Sequence, residues 1–251
     1  MTLLSVNVNK IALLRNSRNI GIPSVTRAAE ICVEAGAAGI TVHPRPDQRH
    51  IRPADVFELA EMLSVEFNIE GNPFAGPEGT YPGFMAIVRR VKPAQCTLVP
   101  DTPGQLTSDH GWDLSTGAER LAPIVDELKS LAIRISLFMD PDPAQIKRAA
   151  ECGVDRVELY TEPYARAFEK GSPEASLRKY AGAAKAAQDA GLGVNAGHDL
   201  NLKNLGSFCS AVPNVLEVSI GHALISEALE MGLSETVKAY LRILSSSAQA
   251  E

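Results

Sequence analysis

The stretch ECGVDRVELYT, residues 151–161, contains a complete helix-to-strand junction. An amphipathic segment runs up to Cys152. Gly153 then turns the chain, and Arg156–Thr161 reads as a short strand. A glycine just past a helix takes the left-handed C′ position without steric cost, because it has no Cβ. The same junction recurs as EAGAAGI at 34–40 and DAGLGV at 189–194, which places Gly36 and Gly191 like Gly153. Outward from these junctions, eight short runs read as strands. They are LSVNV (4–8), GITVH (39–43), EFNIE (66–70), QCTLVP (95–100), IRISLFM (133–139), RVELYT (156–161), GVNAGH (193–198) and LEVSIGH (216–222). Several are apolar on both faces, as expected of strands buried in a parallel sheet.

Helical patterns fill the intervals. Residues 24–35 place Val25, Ala28, Ala29, Cys32 and Val33 on one face at helical spacing. Segments 54–63, 84–91, 119–131, 143–152, 174–190 and 201–211 read similarly, and 223–247 reads as one or two helices. Pro23, Pro53 and Pro143 fall near helix starts, where the missing N–H costs nothing. Alternation of this kind predicts an α/β fold, a (β/α)8 TIM barrel with extra helices, as one domain over 1–251. The competing doubly wound sheet needs a glycine-rich turn after its first strand. NVNKIALLRNSR has no glycine.

Composition narrows the function. The 251 residues carry a formal net charge of −6 with 45% apolar residues. This argues against a nucleic-acid or membrane-surface binder. The charge is uneven: residues 1–52 hold seven Lys/Arg against three acids. A basic region on an acidic protein suits a small anion. No run approaches the ~18 apolar residues of a membrane span, and MTLLSVNVNK has no signal-peptide character. Cys32, Cys96, Cys152 and Cys209 are widely spaced, which fits free thiols in a reducing compartment.

In barrels of this kind, chemistry sits at the C-terminal strand ends. All five histidines, His43, His50, His110, His198 and His222, fall at such ends or in the loops that follow. Glu70 ends the third run, and Asn7 and Asn9 end the first. A lone His at a strand end is often only a loop residue or cap. Glu70 beside His43 and His198 at one mouth makes a candidate acid–base set. GITVHPRPDQRHIRPAD (39–55) crowds Arg45, Arg49, His50 and Arg52 after a buried strand, either as a solvated loop tip or as an anion site. Gly197 and Gly221, in VNAGHDLN and SIGHALI, open the seventh and eighth loops, where barrels bind phosphate on backbone N–H groups. No spacing suggests metal ligands, and no G-x-S-x-G elbow or P-loop occurs.

SVNVNKIALLRNSR, GITVHPRPDQRHI, FNIEG, LVPD, LTSDHGWD, RISLFMD, RVELYTEPYA, VNAGHDLN and VSIGHALI, in this order, resemble the pyridoxine 5′-phosphate synthase family along nearly the whole chain. The resemblance implies a cytoplasmic homo-octamer of TIM barrels that joins two small phosphorylated substrates, 1-deoxy-D-xylulose 5-phosphate and 3-amino-2-oxopropyl phosphate. The products are pyridoxine 5′-phosphate, phosphate and water, with no metal or cofactor. It implies catalytic roles for His43, Glu70 and His198. Arg45, His50 and Thr107 match positions that hold the deoxyxylulose phosphate. Asn7, Arg18, Gly221 and His222 match positions for the aminoketone phosphate or product.

The chain departs from that pattern in places. Asn9-Lys10 stands where Asp-His is common, and Asp199 where Gly is common; all three remain candidate substrate contacts. Segment 71–83 is longer than usual and is a candidate lid. Two other readings compete. A lyase or aldolase would use Lys10 as a Schiff base, which borohydride traps. A non-catalytic carrier of a B6 phosphate would bind product without turnover.

Overall fold

The computed structural model describes residues 1–18 and 20–247; Asn19 and the last four residues of the expected 1–251 domain lie outside the described residues. Eight parallel strands close a barrel in sequence order: β1 (Leu3–Asn7), β2 (Gly39–Val42), β3 (Glu66–Gly71), β4 (Gln95–Leu98), β5 (Arg134–Met139), β6 (Arg156–Tyr160), β7 (Gly193–His198) and β8 (Val215–Ile220). Closure is made by β1 on β8, with Leu4 opposite Val218 and Val6 opposite Ile220. The helices are α1 (Asn9–Asn16), α2 (Val25–Glu34), α3 (Pro53–Met62), α4 (Phe84–Val91), α5 (Leu114–Ser130), α6 (Pro143–Glu151), α7 (Glu162–Glu169), α8 (Glu174–Asp189), α9 (Leu205–Ala211), α10 (His222–Met231) and α11 (Leu233–Ser247). The TIM-barrel expectation therefore holds, extra helices included.

The junction that announced the fold behaves as expected. Gly153 and Gly191 have φ of +77° and +80°. The strands' outward positions, such as Leu4, Ile40, Ile69, Cys96, Val157 and Val218, are buried in the apolar core shared with the helices.

Beyond single-residue shifts, the helices differ from the sequence reading in four places. α1 is unforeseen, so Asn9 opens a helix and does not end a strand. Its apolar residues do not form one stripe: Ile11 and Ala12 are buried, whereas Leu13 and Leu14 are exposed. α7 is also unforeseen, following β6 with Thr161 between them. α5 begins at Leu114, not 119, because Asp113 caps it by accepting from Ser115 N at 2.9 Å. α9 begins at Leu205, not 201, because Asn201 and Asn204 build a side-chain turn first.

The lumen is the larger difference. Strands read as apolar on both faces turn out polar on the inner one. Ser5, Thr41, Asn68, Thr97, Ser136, Glu158, Asn195 and Glu217 are all buried. Ser5 and Thr41 hydroxyls lie 2.7 Å apart, and Thr97 donates to Asn68 Oδ1 at 3.1 Å. At the N-terminal end, Arg134 donates to Gln95 Oε1 at 2.8 Å and pairs with Glu66. Barrel interiors are more often filled with branched hydrocarbon. Here most of the buried polar groups find a partner across the lumen, whereas the Ser136 hydroxyl has none among the described residues.

Candidate active site

A cavity of about 380 Å³ opens at the C-terminal end of the barrel. Strand ends place its residues: Asn7 from β1, His43 just past β2, Glu70 from β3, Glu158 from β6 and His198 from β7. Asn9 and Lys10 come from the first turn of α1, and Gly221 and His222 from the β8–α10 junction. Arg45, His50, Thr107 and Asp199 complete the predicted set, carried by loops. Arg18 alone among the candidates stays outside the lining, exposed beyond α1.

His43 and Glu70 form the centre. His43 Nδ1 lies 3.9 Å from Glu70 Oε2, close but not hydrogen-bonded. Asn7 Nδ2 donates to the same oxygen at 3.4 Å. Asn9 Oδ1 accepts from the His43 backbone N–H at 2.9 Å, so its side chain anchors the chain just past β2. Burial holds the His43 imidazole well below its usual range, helped by the nearby Arg45, His50 and Arg49. Burial also pushes Glu70 well above the carboxylate range, reinforced by the charges of Glu158 and Asp101. Burial thus shifts both groups toward their uncharged forms, imidazole beside carboxylic acid, a pairing that acid–base catalysis can use.

Below Glu70 sits Glu158, raised to about 8 by burial and by Glu217. A side chain at Gly197 would run into its carboxylate, which is why β7 carries no Cβ there. The sequence reading missed Glu158. Its position two residues from Arg156 and from Tyr160, on the inward parity of RVELYT, is the signal that could have found it.

Asp101 was missed as well. It is buried beside His43, with its Oδ2 3.8 Å from His43 Nε2. It pairs with Arg45 and accepts from Ser108 Oγ at 2.9 Å, while its Oδ1 has no hydrogen-bond partner. Arg49, unassigned beyond the basic cluster, donates to the backbone oxygens of Gln105 at 2.7 Å and Leu106 at 3.2 Å. Thr107 Oγ1 reaches across to His198 Nε2 at 2.9 Å. The segment from Asp101 to Trp112 is thereby strapped over the mouth, held by the β2 loop on one side and β7 on the other.

The long 71–83 segment does not cover this cavity. It walls a neighbouring one of about 310 Å³ through Asn72, Phe74, Ala75, Gly76, Pro77, Glu78 and Tyr81. The two cavities share His43, Arg45 and Arg49.

Lys10 makes no hydrogen bond or ion pair among the described residues. Burial lowers its ammonium's pKa, as do Arg49 and Arg45, against an opposing pull from Asp199. His50 is lowered to about 3 by burial and by Arg45, Arg49 and Lys10, and its Nδ1 accepts from Ile51 N at 2.8 Å. Among the described residues no three His, Cys, Asp or Glu side chains form a group that could hold a metal ion. No helix among them is long and apolar enough to cross a membrane.

Comparison with solved structures supports the fold. Thiamine phosphate pyrophosphorylase from Pyrococcus furiosus aligns with a TM-score of 0.60 at 12% identity, over 98% of this chain and 96% of that one. A phosphoribosyl anthranilate isomerase aligns with a TM-score of 0.57 at 13% identity, over 98% and 100%. Sequence relatives are far nearer. A protein of Xanthomonas axonopodis pv. citri named pyridoxine 5′-phosphate synthase is 58% identical, over 98% of this chain and 97% of its own length. One of Xylella fastidiosa with the same name is 58% identical, over 98% and 95%. Residues 4–246 match the family described as pyridoxal phosphate biosynthesis protein PdxJ. With a match of that extent, and a mouth where His43, Glu70 and His198 line one cavity, the chain belongs to that family.

Proposed function

We propose that this chain acts as a pyridoxine 5′-phosphate synthase, condensing 1-deoxy-D-xylulose 5-phosphate with 3-amino-2-oxopropyl phosphate. The observation that carries the chemistry is the juxtaposition of His43 and Glu70, 3.9 Å apart and both shifted by burial toward their uncharged forms, in a cavity rimmed by Arg45 and His50. Joining the amine of one substrate to the ketone of the other forms a C=N bond and releases water. Closing the ring and expelling phosphate then need further proton transfers. Glu70 supplies a proton to a departing oxygen, and His43 accepts one from carbon or nitrogen. Arg45 offers a planar fork for a phosphate. The N-terminus of α10 and the backbone at Gly221 favour the second phosphate.

The same reading takes the protein to be a cytoplasmic homo-octamer. Leu13, Leu14, Ile20 and Ile22 are exposed on and just after α1 and offer apolar surface for subunit contacts.

The test is a direct assay without added metal, following the product chromophore and phosphate release together. Equal formation of both supports the reading; binding of both substrates without turnover sinks it. Glu70→Gln lowers kcat by about 10²–10⁴-fold and leaves KM little changed.

A further inference from the structure

The end of β7 is unusually constrained. His198 has φ of +95°, a region that residues with a Cβ rarely enter. The backbone around it is held from both sides. Thr161 donates to Gly197 O from its N–H at 3.1 Å and its hydroxyl at 2.7 Å, and Asn204 Nδ2 donates to Asp199 O at 3.2 Å. The ring is held too. Tyr160 stands edge-on to it with centroids 5.0 Å apart, Nε2 meets Thr107 Oγ1 at 2.9 Å, and Nδ1 lies 2.6 Å from Asp199 Oδ2.

We propose that Asp199 is a positioning residue: its carboxylate holds His198 in the tautomer protonated at Nδ1, so that proton exchange is confined to Nε2 over the cavity. A carboxylate only accepts, so the nitrogen facing it must carry the hydrogen. Nε2 is then a lone pair toward the Thr107 hydroxyl in the neutral ring and a donor in the charged one. Thr107 can both donate and accept, so it follows the change without moving. With one oxygen committed to an N–H, and no proton of its own to donate, the Asp199 side chain is a poor partner for a phosphate.

The charges around the pair fit this role. Burial would raise the Asp199 carboxyl, but the His198 hydrogen bond and the charges of His198, His222 on α10 and Arg166 on α7 more than reverse it. Lys10 on α1 also feels the Asp199 charge. Tyr160 on β6, its own hydroxyl raised by burial and by Glu162 and Asp199, stays neutral beside the ring.

The inference rests on the reading of His198 as a proton donor in the reaction, and the experiment separates the two. Two-bond ¹H–¹⁵N spectra of the ¹⁵N-histidine-labelled protein report the tautomer, with His198→Gln assigning the signal. The expected wild-type pattern is Nδ1–H for the neutral ring, changing to a mixture or to Nε2–H in Asp199→Asn. In Asp199→Asn kcat falls about tenfold, KM stays within about threefold, and Asp199→Glu restores kcat and the Nδ1–H signal in part. An Nε2–H signal in the wild type overturns the proposal. So does an Asp199→Asn protein whose tautomer and kcat match the wild type while His198→Gln is inactive. Full turnover in His198→Gln overturns the donor reading and the proposal with it.

Discussion

His50 and Glu158 lie in one cavity and titrate in opposite senses. His50 is held neutral, with its pKa lowered to about 3 from an ordinary value near 6.5. As pH falls through 6.5, the unfolded chain takes up a proton that the folded chain refuses, and stability is lost progressively toward pH 3. At pH 5 the cost is on the order of 2 kcal/mol. In His50→Asn, whose side-chain oxygen can still accept from Ile51 N, the drop in Tm between pH 7 and pH 5 should shrink; an unchanged drop would show that His50 is not responsible. Glu158 is raised to about 8. Its protonated form is the one the fold favours, so stability is lost as pH rises from about 4.5 and the loss levels off above about 8. Glu158→Gln, which keeps an acceptor for Thr97, should raise Tm at pH 8 by the equivalent of about 3 kcal/mol or less and leave it unchanged at pH 4.5. A gain of equal size at both pH values would mean that packing, not ionisation, was relieved. Residue by residue, the sequence showed the histidines, Glu70 and Arg45, because polar side chains at the ends of apolar runs stand out. It did not show Asp101 or Glu158. Asp101 lies in a loop whose path is set by contacts with Arg45 and Ser108. Glu158 is one carboxylate inside a strand, and its alternation with Val157 and Leu159 was the only sign that it points inward.

Among the elements, the strap from Asp101 to Trp112 depends on its two anchors. Arg49 and Thr107 fix its middle, and Trp112 fixes its end by donating from Nε1 to Leu98 O at 2.9 Å and from its backbone to Phe138 O at 3.0 Å. Gly111 packs against the backbone of Met139 and Asp140, where an added Cβ has no room. No rotamer change relieves a clash with backbone, so Gly111→Ala should cost about 1–3 kcal/mol and expose the strap to earlier cleavage in limited proteolysis. Gly117→Ala is the control, since its Cβ would find only Trp112 at 3.9 Å within α5. Equal behaviour of the two variants would show that the strap does not depend on that close approach. The strap was legible only as a loop. Likewise α1 escaped the sequence reading because its apolar residues do not form one buried stripe, and α7 because it follows β6 with only Thr161 between them. By contrast α2, with a capping Ser24 and a clean apolar face, was legible almost to the residue.

For the whole molecule, eight runs alternating with helices were enough to read the barrel, because strand and helix periods do not depend on what the sheet encloses. What fills the lumen depends on register. Asn68 meets Thr97 and Asn195 meets Glu217 only because neighbouring strands align as they do. That interior also has a thermal consequence. Unfolding releases to water a column of hydroxyls, amides and carboxyls in place of a column of branched hydrocarbon. Exposed apolar surface raises the heat capacity of the unfolded chain, and exposed polar surface lowers it. The chain's stability curve is therefore broader than that of a barrel of equal length with an apolar lumen, and folding strength declines more gently on both the warm and the cold side of its maximum.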